Sequence, residues 1–315
     1  MSNSRSPNFP VGLNIHPSCS DFQSIQEVGS SFDLYGYAAQ EKAIQQYGIA
    51  GRVWEAAYAI NLYLNPPPSY LFDPPFLNAP DKRPEFTIIE LGSGSGLVGS
   101  IISRSMTEKD ILVLTDLPEV CSLLESNVKN SRRVDVRPLA WGNAEDAIKI
   151  ARELLQGRSL THVLCSDLVY FPELLAPLLR TIIQLSSPPF SCATDSVEVI
   201  VSYKVRSLLK ETPFWSAFGL WFTFEPVLEQ RVSLEGIKSH WRRFGADMEG
   251  PIFLFVAQRR PDSFGWTVPQ NDHELLAGVG ALGTPHPKES DTFESLLFMT
   301  FHGEESEERV ESDST

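Results

Sequence analysis

No stretch of the 315-residue chain approaches the ~18–20 uninterrupted apolar residues of a membrane span. The opening MSNSRSPNFPVGLNIHPSC lacks the apolar core of a secretory leader. The four cysteines, Cys19, Cys121, Cys165 and Cys192, form no C-x-x-C pair, which argues against a disulfide framework and a thiolate zinc site. The six histidines show no H-x-x-x-H spacing, and His162-x-x-Cys165 falls inside a strand-like run, so no metal centre is expected. Basic charge is also short: 26 Lys and Arg face 40 Asp and Glu, a formal net charge of −14. Non-specific nucleic-acid binding needs basic surface to displace counterions, so that class is excluded. These absences describe an intracellular, reduced protein, expected in the cytoplasm and off the membrane.

What is present is a globular composition, with 42% hydrophobic and 21% charged residues. Some of the negative charge is local, because residues 304–315 hold six acids and one arginine. The remaining acidic body speeds encounter with basic partners. Residues 1–34 are rich in Ser, Pro and Asn and read as a flexible arm. Residues 35–64 are helical, with Val53, Ala56, Ala57, Ile60 and Leu64 at three- and four-residue steps after a Gly48/Gly51 turn. Seven prolines within 66–84 make that stretch a non-helical connector.

A regular alternation follows. Buried strands are expected at FTIIELG (86–92), ILVLTD (111–116), VDVRPLAW (134–141), THVLCSD (161–167) and VEVIVSYKV (197–205), each followed by a helix-sized segment. Two of those helices start at Pro118 and Pro172, since proline suits a first helical turn, and Pro177 is a candidate kink. FTFEPVLEQ and IFLFVAQRR close the series without a helix between them. The pattern predicts an α/β fold with a Rossmann-like, seven-stranded, mostly parallel sheet, an antiparallel last strand and helices on both faces. The domain then spans 35–260, followed by an extension over 261–303 of unassigned role and an acidic tail over 304–315.

Chemistry concentrates at three places. The first is Ile88 to Gly96, IIELGSGSG, where Gly92, Ser93 and Gly94 follow a buried strand and allow close approach of backbone to a ligand. The spacing is not G-x-G-x-x-G, and no Gly-Lys-Ser/Thr follows, so neither a dinucleotide fingerprint nor a phosphate loop is satisfied. A turn that needs glycine only for packing is the plain alternative. The second is Asp116, at the end of the next strand and 22 residues after Gly94, placed to accept both hydroxyls of a ribose or simply to cap the helix at Pro118. Trp54 and Trp141 are either core residues or faces for an adenine or a cation. The third is CSDLVYFPELL, which delivers Ser166, Asp167 and Tyr170 to the carboxyl end of a strand, where open α/β sheets bind ligands.

Together GRVWEAA, IIELGSGSGLVG, TDLP, LAWG and SDLVY resemble the seven-β-strand, S-adenosylmethionine-dependent methyltransferases. More narrowly they resemble family 16, whose characterised members are mostly protein-lysine methyltransferases. The resemblance spans about residues 35–260. It implies S-adenosylmethionine contacts at Trp54, Gly92, Ser93, Gly94, Asp116, Trp141 and Ser166, and active-site roles for Asp167 and Tyr170 of the D-x-x-Y element. It also implies a protein substrate carrying a target lysine, with an elongation factor favoured over a chaperone-type ATPase or a small molecule, and a monomeric enzyme. In that setting Asp167 captures and orients the lysine while Tyr170 aligns the amine or lines its channel. At pH 7 only about one lysine amine in 2,500 is neutral, from a pKa of ~10.4. A nicotinamide-dependent oxidoreductase on the same sheet and a non-catalytic scaffold are the competing classes. The extension and the proline-rich loop depart from the minimal family pattern and leave the substrate open.

Overall fold

Alternating side chains on a set of short, apolar strands bury both faces of one sheet. The computed structural model describes residues 8–10, 12–18, 34–76, 85–131, 133–191, 196–246, 248 and 252–298. The acidic tail at 304–315, residues 77–84 and most of the arm at 1–34 lie outside the described residues. In chain order the elements are α1 (Tyr37–Tyr47), α2 (Glu55–Leu64), β1 (Tyr70–Asp73), β2 (Thr87–Leu91), α3 (Leu97–Ile102), β3 (Ile111–Asp116), α4 (Pro118–Val128), β4 (Val134–Pro138), α5 (Ala144–Ile150), β5 (His162–Ser166) and α6 (Pro172–Leu185). Then come β6 (Glu198–Lys204), α7 (Leu208–Trp221), β7 (Phe222–Pro226), β8 (Leu228–Arg231), β9 (Arg242–Arg243), β10 (Ile252–Arg259) and α8 (Asp272–Leu276).

The main sheet has the order β4-β3-β2-β5-β6-β10-β7. β4, β3, β2, β5 and β6 pair in parallel, whereas β10 runs antiparallel to both its neighbours. The expected seven-stranded, mostly parallel sheet with an antiparallel last strand is therefore the fold. Because strand side chains alternate in direction, Ile88, Leu112, Leu114, Leu164, Ile200 and Leu254 pack with α2, α3 and α4 on one face. Ile89, Val113, Val163, Val199, Val201 and Phe255 pack with α5, α6 and α7 on the other.

The structure adds what periodicity does not contain. β1 arises inside the proline-rich connector and joins β8 and β9 in a separate antiparallel sheet. The run FTFEPVLEQ accordingly divides, with Phe222–Pro226 in the main sheet and Leu228–Arg231 in the small one. α5 starts on Asn143, whose side chain accepts the Glu145 and Asp146 N–H groups, and widens to a single π-turn at Ala151–Leu155. α6 runs through Pro177, and its Thr181 hydroxyl accepts the Gly142 N–H at 2.8 Å, which fixes the turn after Trp141.

Residues 261–298 pack back on α6 and α7. Arg180 reaches the carbonyls of Pro269 and Gln270 and the Asp272 carboxylate. Phe293 is fully buried and stacks on Trp215, with ring centroids 4.9 Å apart. At the other end of the chain, Asn8 accepts the Ile49 N–H, and the buried Ser18 hydroxyl donates to Val53 O at 2.6 Å. Among the described residues, no helix is long and apolar enough to cross a membrane.

Candidate functional site

The parallel order reverses direction of travel between β2 and β5, and the carboxyl ends of those strands open onto a cleft, the usual ligand position in such sheets. The cleft is lined by Arg52, Val53, Trp54 and Ala57 from the approach to α2, and by Glu90 and residues 92–95 after β2. Leu97, Val98 and Ser166 complete it.

Its floor is the glycine loop. Gly92 adopts φ +56°, and a Cβ there would lie 2.8 Å from Leu168 Cδ2 and 3.0 Å from Trp141 Cζ2. Only glycine allows both that backbone conformation and that approach. Three N–H groups of the loop are spent within the protein: Ser93 on Thr115 O, Gly94 on Asp116 Oδ2 and Gly96 on Ser93 O. The loop therefore contributes an uncluttered backbone surface and closely packed neighbours, more than a row of free donors.

Asp116 ends β3 and takes the Gly94 N–H on one oxygen and the Leu117 N–H on the other, each at 2.8 Å. Burial pushes its pKa up to about 6, against the lowering effect of those two donors, while Glu119 adds to the rise. A carboxylate offers about four lone-pair sites, so acceptor capacity for a diol remains. Trp54 caps the start of α2 and donates its indole N–H to Ile49 O at 3.0 Å, with the Arg52 guanidinium 4.5 Å from its ring.

Beyond the cleft wall, Trp141 meets Tyr170 edge-to-face with centroids 6.3 Å apart. The Tyr170 hydroxyl is held well above its ordinary pKa, first by burial and then by Asp116 and Asp167. Asp167 is 5% exposed and adopts φ +62°, an uncommon conformation for a residue with a Cβ. Both its oxygens are taken by Arg206 in a bidentate ion pair. A carboxylate free to meet an incoming ammonium is thus not the arrangement in this structure, because a guanidinium supplied from beyond β6 satisfies it.

Of the nine residues singled out from the sequence, Trp54, Gly92, Ser93, Gly94 and Ser166 line the cleft. Asp116, Trp141, Asp167 and Tyr170 stand behind or beside it. Glu90 was missed. It lies in IIELG itself, 2% exposed, with burial driving its pKa up to about 8. An acid within an otherwise apolar strand was the available signal, since a buried carboxyl needs a partner. Its Oε2 and the Ser166 Oγ are buried without a hydrogen-bond partner among the described residues, and both residues border the cleft. Arg52, also at the cleft, and Arg206 carried no sequence signal of their own.

An open α/β sheet with a glycine floor, an acid at the next strand end and unpartnered polar atoms in the cleft has the features of a nucleoside-type cofactor site. The comparisons name the family. Residues 36–217 match the lysine methyltransferase family model, and the chain belongs to that family. It is 28% identical over 149 residues to Protein N-lysine methyltransferase METTL21A of Xenopus tropicalis, covering 45% of this chain and 58% of that protein. It is 25% identical over 229 residues to EEF1A lysine methyltransferase 3 of the same organism, covering 68% and 85%. An O-methyltransferase from Bacillus cereus solved in complex with SAH overlays at a TM-score of 0.39 and 11% identity, covering 76% of this chain and 95% of that one, too distant to assign any residue. Family membership makes this chain an S-adenosylmethionine-dependent methyltransferase. The cleft offers the buried, unpartnered oxygens of Glu90 and Ser166 to a polar ligand.

Proposed function

We propose that the chain methylates a lysine side chain of a protein, with a translation elongation factor as the acceptor. The similarity to EEF1A lysine methyltransferase 3, which runs over most of that relative, supports this acceptor. The single observation that carries the reading is the pair of buried, unpartnered oxygens, Glu90 Oε2 and Ser166 Oγ, at the same cleft as the glycine loop.

In this reading Asp116 takes the ribose hydroxyls, Trp54 and Trp141 flank the nucleoside side, and Gly92, Ser93 and Gly94 form the surface on which the donor rests. Glu90 and Ser166 meet its polar amino-acid end. When bound, S-adenosylmethionine supplies a methyl group on a positively charged sulfur. Transfer of that methyl to an amine would break the C–S bond as the N–C bond forms and would move positive charge from sulfur to nitrogen, so the site would need no oxyanion hole. In-line proximity then provides most of the acceleration. Asp167 and Tyr170 form the acceptor side, with Tyr170 bordering the path of the amine. The enzyme works as a monomer in the cytoplasm, on protein and not on nucleic acid.

Transfer of labelled methyl groups into a cell lysate tests this directly. The expected result is label on a lysine of one protein band, identified by mass spectrometry as an elongation factor. A labelled ATPase chaperone would move the acceptor, and label confined to small molecules would overturn the reading.

A further inference from the structure

Arg206 lies two residues past the end of β6 and ties three elements together. Its Nη1 donates to Asp167 Oδ1 at 2.7 Å and to Lys204 O at 3.1 Å, and its Nη2 pairs with Asp167 Oδ2. The guanidinium also lies 5.3 Å from the Trp54 ring at the start of α2. The Asp167 side chain is 1% exposed and that of Arg206 29%. Asp167 is held in its left-handed conformation from both sides: its own N–H donates to Ser202 O at 2.7 Å, and the Lys204 N–H reaches its Oδ1 at 3.3 Å. A planar fork is what such a two-oxygen grip requires, and a lysine in its place would make a single point contact.

Other charges face this pair. Glu55 approaches from α2 together with Arg52 and Lys204, and Glu211 lies in the first turn of α7. Tyr170 faces Asp167 from the following loop, where Asp116 and Glu173 also act on it. A bare carboxylate beside an amine stabilises the ammonium and raises its pKa, which deepens a shortage of neutral lysine that is already severe at pH 7. A carboxylate locked to a guanidinium exerts little net field.

We propose that Arg206 is a positioning residue that acts through Asp167: it fixes the carboxylate and cancels its charge, so that the target lysine reaches the cleft as a neutral amine. The inference rests on the protein-lysine reading above. It adds a residue and a device that the D-x-x-Y element does not contain.

The test uses the full chain as wild type, Arg206→Gln, Arg206→Lys and the double variant Asp167→Asn/Arg206→Gln. Calorimetry with S-adenosylhomocysteine checks that each is folded with its donor pocket intact. Initial rates of labelled-methyl incorporation into the lysate band that wild type modifies are then followed from about pH 6 to about pH 10. In Arg206→Gln, KM and kcat for the acceptor should both fall about tenfold at neutral pH, and the acid limb of kcat should move up by about one unit or more. Removing the carboxylate as well should return that limb to its wild-type position. Arg206→Lys, which keeps the charge and loses the fork, should lower kcat without moving the limb, and it serves as the test if Arg206→Gln does not fold. An unmoved limb in Arg206→Gln, or the same displacement in Arg206→Lys, overturns the proposal while leaving the lysine reading standing. Wild type that binds the demethylated donor yet labels no protein at any pH defeats both together.

Discussion

The Asp116 carboxylate accepts the Gly94 N–H at 2.8 Å and so fastens the glycine loop after β2 to the end of β3. Two strands that are neighbours in the sheet thereby fix the distance between the donor's resting surface and the acid proposed to hold its ribose. The same residue is a structural tie and, in the proposed reading, the ribose ligand.

Asp116→Ala removes both functions. Loss of hydrogen bonds to a charged group costs about 1.5–3 kcal/mol, so affinity for S-adenosylhomocysteine should weaken by roughly tenfold to a hundredfold. Asp116→Asn keeps an acceptor for Gly94 and should lose less. Calorimetry that finds the alanine variant binding within threefold of wild type, an allowance well inside one decade of affinity, would remove Asp116 from the site.

Glu90 gives a pH signature of opposite sign to that of a salt-bridged acid. Burial is the leading cause of its rise from 4.5 to about 8, opposed by the Gly99 N–H and Ser93 and aided by Asp116. An acid whose folded pKa is raised contributes stability that is fully present below its unfolded value and lost as pH climbs through the folded one. Without donor, the Glu90 contribution should therefore decline between about pH 4.5 and about pH 8. Glu90→Gln cannot ionise, so thermal melts at the two ends of this window should differ less than in wild type. A cationic donor favours the ionised carboxylate, and its binding at pH 7 should release protons, seen as a dependence of calorimetric heat on buffer ionisation enthalpy. That dependence should shrink in the glutamine variant; equal proton release in both proteins would refute the assignment.

Phe293 belongs to the fold and not to the site. It is fully buried and nearly parallel to Trp215, at an interplanar angle of 12°. Phe293→Ala should cost about 3–5 kcal/mol and lower the melting temperature by roughly 10 °C. Donor affinity, measured well below the new transition, should stay within about twofold. A variant with unchanged melting would show that 289–298 packs more loosely than this stack implies.

The D-x-x-Y element shows where sequence legibility stops. Ser166, Asp167 and Tyr170 could be placed at a strand end because the apolar run Val163-Leu164-Cys165 gives way to polar residues there. The partner of Asp167 could not, since Arg206 is 39 residues away and in a segment with no pattern of its own. β1 and β9 escaped notice, and β8 read as the end of a single strand, for a related reason. They are two to four residues long, one lies among prolines, and β1 meets β8 across more than 150 residues of chain. The extension over 261–303 carried no assigned role, and the docking surface of its described part on α6 and α7 became visible only with those helices in place.

The amino-acid order by itself determined the main sheet, the helices beside it and the glycine bend, because alternation, helical spacing and the conformational freedom of glycine act over a few neighbouring residues. It also placed an acid and a serine at strand ends, since a strand ends where its apolar run ends. Only the tertiary structure decided which charges meet. A carboxylate leaving water requires a compensating group, and whether that group is a backbone N–H, as for Asp116, a guanidinium, as for Asp167, or none among the described residues, as for Glu90 Oε2, depends on distant segments brought together by the sheet.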